Sequence, residues 1–279
     1  MTAQPHISLS ISIVSYYSPA AQLTTTVRSL AAALQSLNRH FKVDPLSVVL
    51  VDNSEIVHIT ADDVTSLQEI LAPAKAALSL IQDNGNVGYG GGHNFAISGT
   101  RTDFHLVLNP DVTLAEDCLV EGIAYLKANP DVLMASPRAR GASGRRQYLC
   151  KRQPSVLVLL IRGFLPFLAG VFSKRLARYE MRDLSETEPT VGIPIVSGCF
   201  MLCRRKPLQA VKGFDERYFL YFEDFDLSLR LGSRGKLAYV PAMKIIHTGG
   251  NTTRKGLRHI RYFLRSGVRF FNQWGWRWW

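Results

Sequence analysis

The chain predicts an α/β fold with a mostly parallel central sheet and a C-terminal amphipathic helical tail. Short apolar runs recur through the first 110 residues, each followed by a helical or turn-forming stretch, as in successive βαβ units. The composition, 47% hydrophobic and 20% charged over 279 residues, belongs to a folded chain with an ample core. Near the end, Arg258, Arg261, Arg265 and Arg269 fall within roughly 80° of one another on a helical wheel, with Ile260, Phe263, Leu264, Val268, Phe271 and Trp274 opposite.

The elements follow in order. Residues 9–14 alternate apolar side chains with serines and form strand one, and a helix runs from about 19 to 37. Residues 47–51 form strand two, ending in Asp52-Asn53-Ser54. A third strand at 78–82 leads into a glycine-rich turn and a helix over about 91–99. A fourth, at 104–108, ends in Asn109-Pro110-Asp111. Each strand ends in polar residues, and open α/β sheets collect their chemistry at the carboxyl ends of strands. Residues 141–189 break the rhythm, starting with a basic loop at 141–146. The apolar stretch at 155–172 is interrupted by Arg162 and Pro166 and suits a re-entrant or interfacial helix, or a buried helix pair, better than a membrane span. Sheet character returns at 193–202 and 237–247.

The net charge is +11, with basic residues gathered at 138–182 and 254–277. Such a surface serves nucleic acid, acidic lipid or a polyanionic substrate. The tryptophan-rich tail favours an anionic membrane interface, because its aromatic side is too continuous for separate base-stacking positions. A helix packed on the domain with a solvated basic face is the plainer alternative. The first residues carry no secretory signal pattern. Cys118, Cys150, Cys199 and Cys203 lack metal-knuckle spacing and are expected as buried thiols in a reducing cytoplasm.

Residues 213–232 carry the strongest chemical signal, with Glu223, Asp224 and Asp226 set among Phe214, Tyr218, Phe219, Tyr221 and Phe222. Carboxylates held against aromatics at a helix start are poorly solvated, and their pKa values rise toward the range of a useful base. The simpler alternative makes Asp224 a helix cap and Asp226 a first-turn acid. The loop 83–94 holds five glycines within residues 85–92. That density suits sharp turning or close approach to a ligand. It is not a dinucleotide fingerprint, since it follows the third strand rather than the first.

Five segments in order resemble the family 2 glycosyltransferases of GT-A fold, especially the bacterial rhamnosyltransferase-like branch, over roughly residues 8–250. They are Val14-Ser15-Tyr16-Tyr17; Asp52-Asn53-Ser54; the glycine loop; Asn109-Pro110-Asp111; and Gly213-Phe214-Asp215-Glu216 leading to Glu223-Asp224. Val196 to Leu202 and His247 also match the pattern. The resemblance implies that Ser15, Tyr16, Asp52, Asn86, Gly88, Asn94 and Asn109 contact a nucleotide sugar. Tyr17 departs from the usual Asn, and Asn109 replaces the first acid of the metal motif, which moves it from metal to ribose. Asp111 and His247 would hold Mg²⁺ or Mn²⁺. Asp224 would be the catalytic base, with Glu223 second choice and Asp226 an orienting group.

The implied activity is inverting transfer from a dTDP- or UDP-sugar, with dTDP-L-rhamnose the first choice, to a lipid-linked glycan. The implied location is cytoplasmic, peripheral on the inner face of the plasma membrane. Residues 1–140 would form the nucleotide-sugar half, 141–250 the acceptor half, and 251–279 the membrane-interface tail. Two alternatives stay open: a sugar nucleotidyltransferase, which needs a basic Gly-rich loop after strand one that this chain lacks, and a non-catalytic membrane- or polyanion-binding protein. Nucleic acid is not expected as a partner.

Overall fold

A computed structural model describes residues 4–249 and 256–279. The elements run β1 (His6–Ser15), α1 (Ala20–His40), β2 (Lys42–Asp52), α2 (Ala61–Leu71), β3 (Ala77–Ile81), α3 (Gly88–Gly99), β4 (Phe104–Leu108), β5 (Val112–Leu114), α4 (Cys118–Ala128) and β6 (Val132–Arg140). Then come β7 (Arg146–Gln147), β8 (Cys150–Lys151), α5 (Val156–Gly163), α6 (Ser173–Tyr179), β9 (Thr190–Val191), β10 (Ile195–Val196), β11 (Phe200–Arg204), α7 (Arg205–Ala210), α8 (Glu223–Gly232), β12 (Lys236–His247) and α9 (Leu257–Trp274).

One sheet carries the order β3-β2-β1-β4-β11-β6-β12-β5, with β7 added beside β6 and β9 beside β12. The strands from β3 to β4 are parallel. β11 enters antiparallel between β4 and β6, and β12 returns parallel to β6. The β4–β11 ladder therefore joins the two halves of the chain in a single sheet. A separate antiparallel pair, β8 with β10, stands off it.

Alternation along the strands sorts the core into two layers. Leu106, Leu108, Phe200 and Leu202 face the layer of α1, α2 and α4. Val107, Met201 and Cys203 face the layer of Ile97, Leu208, Leu227 and Leu231 from α3, α7 and α8. α1 supplies Leu23, Val27, Leu30, Leu34 and Leu37 at helical spacing, all buried.

The serines of β1 are buried too. Ser10 Oγ lies 2.8 Å from His105 Nδ1, and Ser12 Oγ lies 2.9 Å from His105 Nε2 and 2.7 Å from His93 Nδ1. Burial pushes both imidazoles down, His105 to about 3. The sheet thus holds a neutral polar ladder where alternation alone would suggest a wet face.

The segment at 155–172 becomes the short α5 and a 3₁₀ turn at Pro166–Leu168. Val158 and Ile161 point inward, whereas Leu160, Phe164, Phe167 and Val171 are exposed. Among the described residues no helix is long and apolar enough to cross a membrane.

α9 divides the apolar side expected of it. Phe263, Phe270, Phe271 and Trp274 pack with Tyr218, Phe222, Phe225 and Leu229. Leu257, Ile260, Leu264 and Val268 remain exposed on the outer side, beside Arg261 and Arg265. The expected single apolar face is therefore two faces, because the aromatic members find partners around α8 and the aliphatic ones do not. Beyond α9 the tail turns back on α5, where the Arg277 carbonyl accepts from Val156 N–H at 2.7 Å and the Trp278 carbonyl from Leu157 N–H at 3.3 Å.

Candidate active site

The chain enters α8 through an unfavourable backbone. Tyr221 and Phe222 both take left-handed conformations, with φ of 70° and 67°. Aromatic residues rarely adopt these without compensation. Here Phe222 is buried with its ring 5.2 Å from Phe263 and 5.3 Å from Phe270, which offsets the strain. The turn puts Glu223 and Asp224 in the first helical turn, and no side chain caps the helix.

Asp224 Oδ2 accepts from Gly198 N–H at 2.9 Å, and Oδ1 accepts from Phe225 N–H at 2.9 Å. Burial raises its carboxyl to about 6, although these bonds pull the other way. Glu223 is 5% exposed, and its Oε2 has no partner among the described residues. Burial, followed by the charge of Asp224, pushes Glu223 well above the ordinary carboxylate range. Asp224, at about 6 and held by two N–H groups, is the better placed base of the two, since Glu223 is pushed further toward its protonated form by burial and by Asp224 itself.

Asp226 has a different part. Fully buried, it accepts from Arg230 Nε at 2.6 Å, and from Gln273 Nε2 at 2.7 Å and Trp274 Nε1 at 3.0 Å on α9.

From Asp224 the site runs to the end of β4. Gly198 lies between Asp224 and Tyr89, where an added Cβ would press on the Tyr89 ring at 3.1 Å and on the Asp224 Cβ at 3.3 Å. The Tyr89 hydroxyl reaches the Gly198 carbonyl at 2.6 Å and Asn109 Oδ1 at 3.0 Å. Asn109 N–H donates to the Cys199 carbonyl at 2.9 Å. Burial pushes the Tyr89 phenol well up, and Cys199, Glu223, Asp224 and Asp111 push in the same direction. The acids from α8 and from the β4–β5 turn thus share one electrostatic neighbourhood.

Asp111 faces the end of β12. Its Oδ1 is buried without a hydrogen-bond partner and lies 3.4 Å from His247 Nε2. Gln147 Oε1 lies 2.9 Å from His247 Nδ1, and Gln147 Nε2 donates to the His247 carbonyl at 3.0 Å. This double contact assigns the proton of a neutral imidazole to Nδ1 and leaves the Nε2 lone pair facing the carboxylate. Two electron-rich atoms at that separation call for a cation or proton between them. No third His, Cys, Asp or Glu joins them among the described residues. One carboxylate, one imidazole, phosphate oxygens and water form a donor set that fits Mn²⁺ or Mg²⁺.

The residues expected on the nucleotide side are brought near one another, but several are engaged by protein. Asp52 is 2% exposed; its oxygens accept from the N–H groups of Ser54, His58 and Ile59 at 3.1, 2.7 and 3.0 Å. Burial works to raise its carboxyl, and these bonds outweigh it and hold it low. Its visible work is thus to shape the 54–59 loop. Ser15 is fully buried and its Oγ lacks a partner among the described residues. Tyr16 is 48% exposed, with its hydroxyl 3.3 Å from Glu55 Oε1.

Asn86 Oδ1 accepts from Gly88 N–H at 3.1 Å and from Asn53 Nδ2 at 3.2 Å. Gly88, with φ of +81°, lies so close to the Phe219 carbonyl that no Cβ fits. Asn94 Oδ1 accepts from Phe214 N–H, while its Nδ2 donates to the Phe214 carbonyl and Glu216 Oε1, each at 2.9 Å. Asn86, Gly88 and Asn94 therefore wire the glycine loop to Asn53 and to residues 214–219.

Sequence reasoning missed Gln147 and Tyr89 as site residues. Tyr89 had a signal, as the aromatic position of the glycine loop. Gln147 had none, because it lies in a two-residue strand after a basic loop.

An N-acetylglucosaminyl-diphospho-decaprenol L-rhamnosyltransferase from Mycobacterium tuberculosis is 28% identical over 279 aligned residues, covering 94% of this chain and 84% of the relative. The rhamnosyltransferase WbbL of Escherichia coli K12 is 28% identical over 196 residues, covering 67% and 70%. Among solved structures, GalNAc-T7 with UDP, GalNAc and Mn²⁺ superposes with a TM-score of 0.61 at 15% identity. The mannosyltransferase PcManGT from Pyrobaculum calidifontis, with GDP-Man and Mn²⁺, gives 0.60 at 18%. The chain covers 44% and 64% of those two longer chains, with 88% and 98% of itself aligned, so the likeness is one of fold. The model described as "Glycosyl transferase family 2" matches residues 10–212, which include the glycine loop, Asn109-Pro110-Asp111 and Gly198. That match spans most of the chain, and the chain belongs to glycosyl transferase family 2.

Proposed function

We propose that the protein is an inverting, divalent-cation-dependent glycosyltransferase that moves a sugar, with L-rhamnose the first choice, from a nucleoside diphosphate to a lipid-linked glycan. The observation that carries this reading is the Asp224 carboxylate, raised to about 6 and joined through Gly198, Tyr89 and Asn109 to the turn that bears Asp111. The relatives named as rhamnosyltransferases support the sugar, and the diphospho-decaprenol in one of those names supports a lipid-linked acceptor.

In the reaction, Asp224 accepts the proton of an acceptor hydroxyl while that oxygen attacks the anomeric carbon. The bond from that carbon to the phosphate oxygen breaks, and the nucleoside diphosphate leaves. One displacement inverts the anomeric centre. A cation held by Asp111 and His247 would offset the charge that grows on the diphosphate. Tyr89 fixes the Gly198 carbonyl, and Gly198 N–H fixes Asp224, so the base is oriented before substrate arrives.

The exposed aliphatic stripe of α9 with its adjoining arginines supports a peripheral position on an anionic membrane, taken to be the inner face of the plasma membrane. A thermal-shift screen of dTDP, UDP, GDP and their sugars, with and without Mn²⁺, tests the donor side. Cation-dependent stabilisation by dTDP-L-rhamnose or a UDP-sugar is expected, since a ligand that binds only the folded state raises its stability. Indifference to all of them would end the reading.

A further inference from the structure

A cavity of about 570 Å³ lies between the start of α5, α6 and the C-terminal residues. Arg152, Lys174, Arg175, Arg178 and Arg277 line it, and none of its described lining residues is acidic. Arg152 pairs with Asp183 at 3.1 Å. Among the described residues the other four cations form no ion pair. Gln153 also lines the cavity, and its Oε1 is buried without a hydrogen-bond partner among those residues. Convergent like charges repel, and four of them around one recess are stabilised by an anion of matching charge.

The cavity has an inner and an outer end. Inside, it is closed by Tyr179, which is 4% exposed and has Arg162 5.4 Å and Lys151 6.0 Å from its ring. Burial raises the Tyr179 phenol to about 12; Arg162 opposes this, and Asp224 adds to it. Backbone geometry ties this end to the proposed base: Arg152 N–H donates to the Tyr179 carbonyl at 2.9 Å, the adjoining β8 pairs with β10, and β10 leads to Gly198, whose N–H holds Asp224 at 2.9 Å. Outside, the cavity is rimmed by Trp279, which is 81% exposed. The N–H groups at the start of α5 are already taken by the Arg277 and Trp278 carbonyls, so the helix terminus is not the anion site. The arginine side chains are.

We infer that this basic cavity is a diphosphate subsite for the acceptor, gripping the pyrophosphate between a glycan that reaches toward Asp224 and a lipid chain that leaves past Trp279. This inference rests on the proposed reading of a lipid-linked acceptor. A phospholipid headgroup offers the same phosphate chemistry, and the test separates the two.

Initial rates are measured for the wild-type protein and an Arg175→Gln/Arg178→Gln variant with two acceptors carrying the same sugar, N-acetylglucosamine. One is its farnesyl diphosphate ester and the other its octyl glycoside. The variant should raise KM for the diphosphate acceptor tenfold or more, with KM for the octyl glycoside and for the donor unchanged within twofold. Activity on the octyl glycoside shows that the variant folds. Equal effects on both acceptors, or no effect on either, overturn the subsite.

Flotation with phosphatidylglycerol vesicles is the second arm. A variant that loses vesicle binding tenfold while keeping its preference for the diphosphate acceptor marks the cavity as a headgroup site and overturns the acceptor assignment. Failure of the wild-type protein to transfer to either acceptor, or to turn over donor, overturns the broader function as well, and so is distinct from failure of the subsite alone.

Discussion

Replacing Asp224 with asparagine should cripple the enzyme and stabilise the protein, and the two effects share one cause. The Asp224 carboxyl is raised from 3.8 to about 6, chiefly by burial. A folded-state value above the unfolded one means that the folded chain holds the extra proton between those two values. Stability therefore falls as pH rises through that window, and the full penalty stands above about pH 6. At about 1.4 kcal/mol per pH unit, the charged form costs about 3 kcal/mol.

Asparagine removes the charge but retains one good acceptor for the two N–H groups of Gly198 and Phe225, which returns about 1 kcal/mol of the gain. The net expectation is about 2 kcal/mol of added stability at pH 8, vanishing near pH 4. Urea denaturation of both proteins at the two pH values measures it. Under donor saturation, kcat should fall by about 10² or more, with cation-dependent donor binding intact. The wild-type rate should rise with pH through about 6. A variant that keeps near-normal turnover, or whose stability difference does not change with pH, would refute the assignment of Asp224.

Further predictions concern the other parts of the site. Asp111→Ala should abolish Mn²⁺-dependent thermal stabilisation by nucleoside diphosphate, whereas Gln147→Leu, which frees the His247 ring, should weaken Mn²⁺ binding by about 10- to 100-fold in titration calorimetry. Gly88→Ala places a Cβ against the Phe219 carbonyl at a φ of +81°, so about 2 kcal/mol or more should be lost in chemical denaturation. Ile260→Ser/Leu264→Ser/Val268→Ser should leave the melting temperature nearly unchanged, because these side chains are already exposed, and should reduce partition into anionic vesicles by about tenfold or more in co-sedimentation.

The parallel half of the fold was legible because each strand is a local apolar run, and the ladders from β3 to β4 form among the strands the sequence marks. The insertion of β11 between β4 and β6 was not. It depends on pairing Phe200 with Leu108 across ninety residues, and no local pattern encodes that. The Glu223-Asp224 pair could be found from its aromatic setting, and the structure adds why the two carboxyls differ. Gly198 N–H reaches Asp224, and nothing described reaches Glu223 Oε2.

Asp52 and Asn94 show the opposite limit. A polar side chain at a strand end or in a glycine loop looks the same in sequence whether it meets a ligand or the chain's own backbone. Only coordinates reveal that Asp52 gathers three N–H groups and that Asn94 holds Phe214 and Glu216. The tail was half legible, since wheel angles give its apolar sectors but not which one finds the aromatics near α8.

Asp226 sits two residues beyond the proposed base and clasps both Gln273 and Trp274 near the end of α9. These bonds tie α9 to the helix that carries the proposed base. If α9 lies flat in the headgroup layer, the height of Asp224 above the lipid is set by that clasp, as a caliper is set by its jaw. An acceptor sugar carried on a lipid would then meet the base only at one stand-off from the bilayer, so the molecule would measure its substrate before reacting with it.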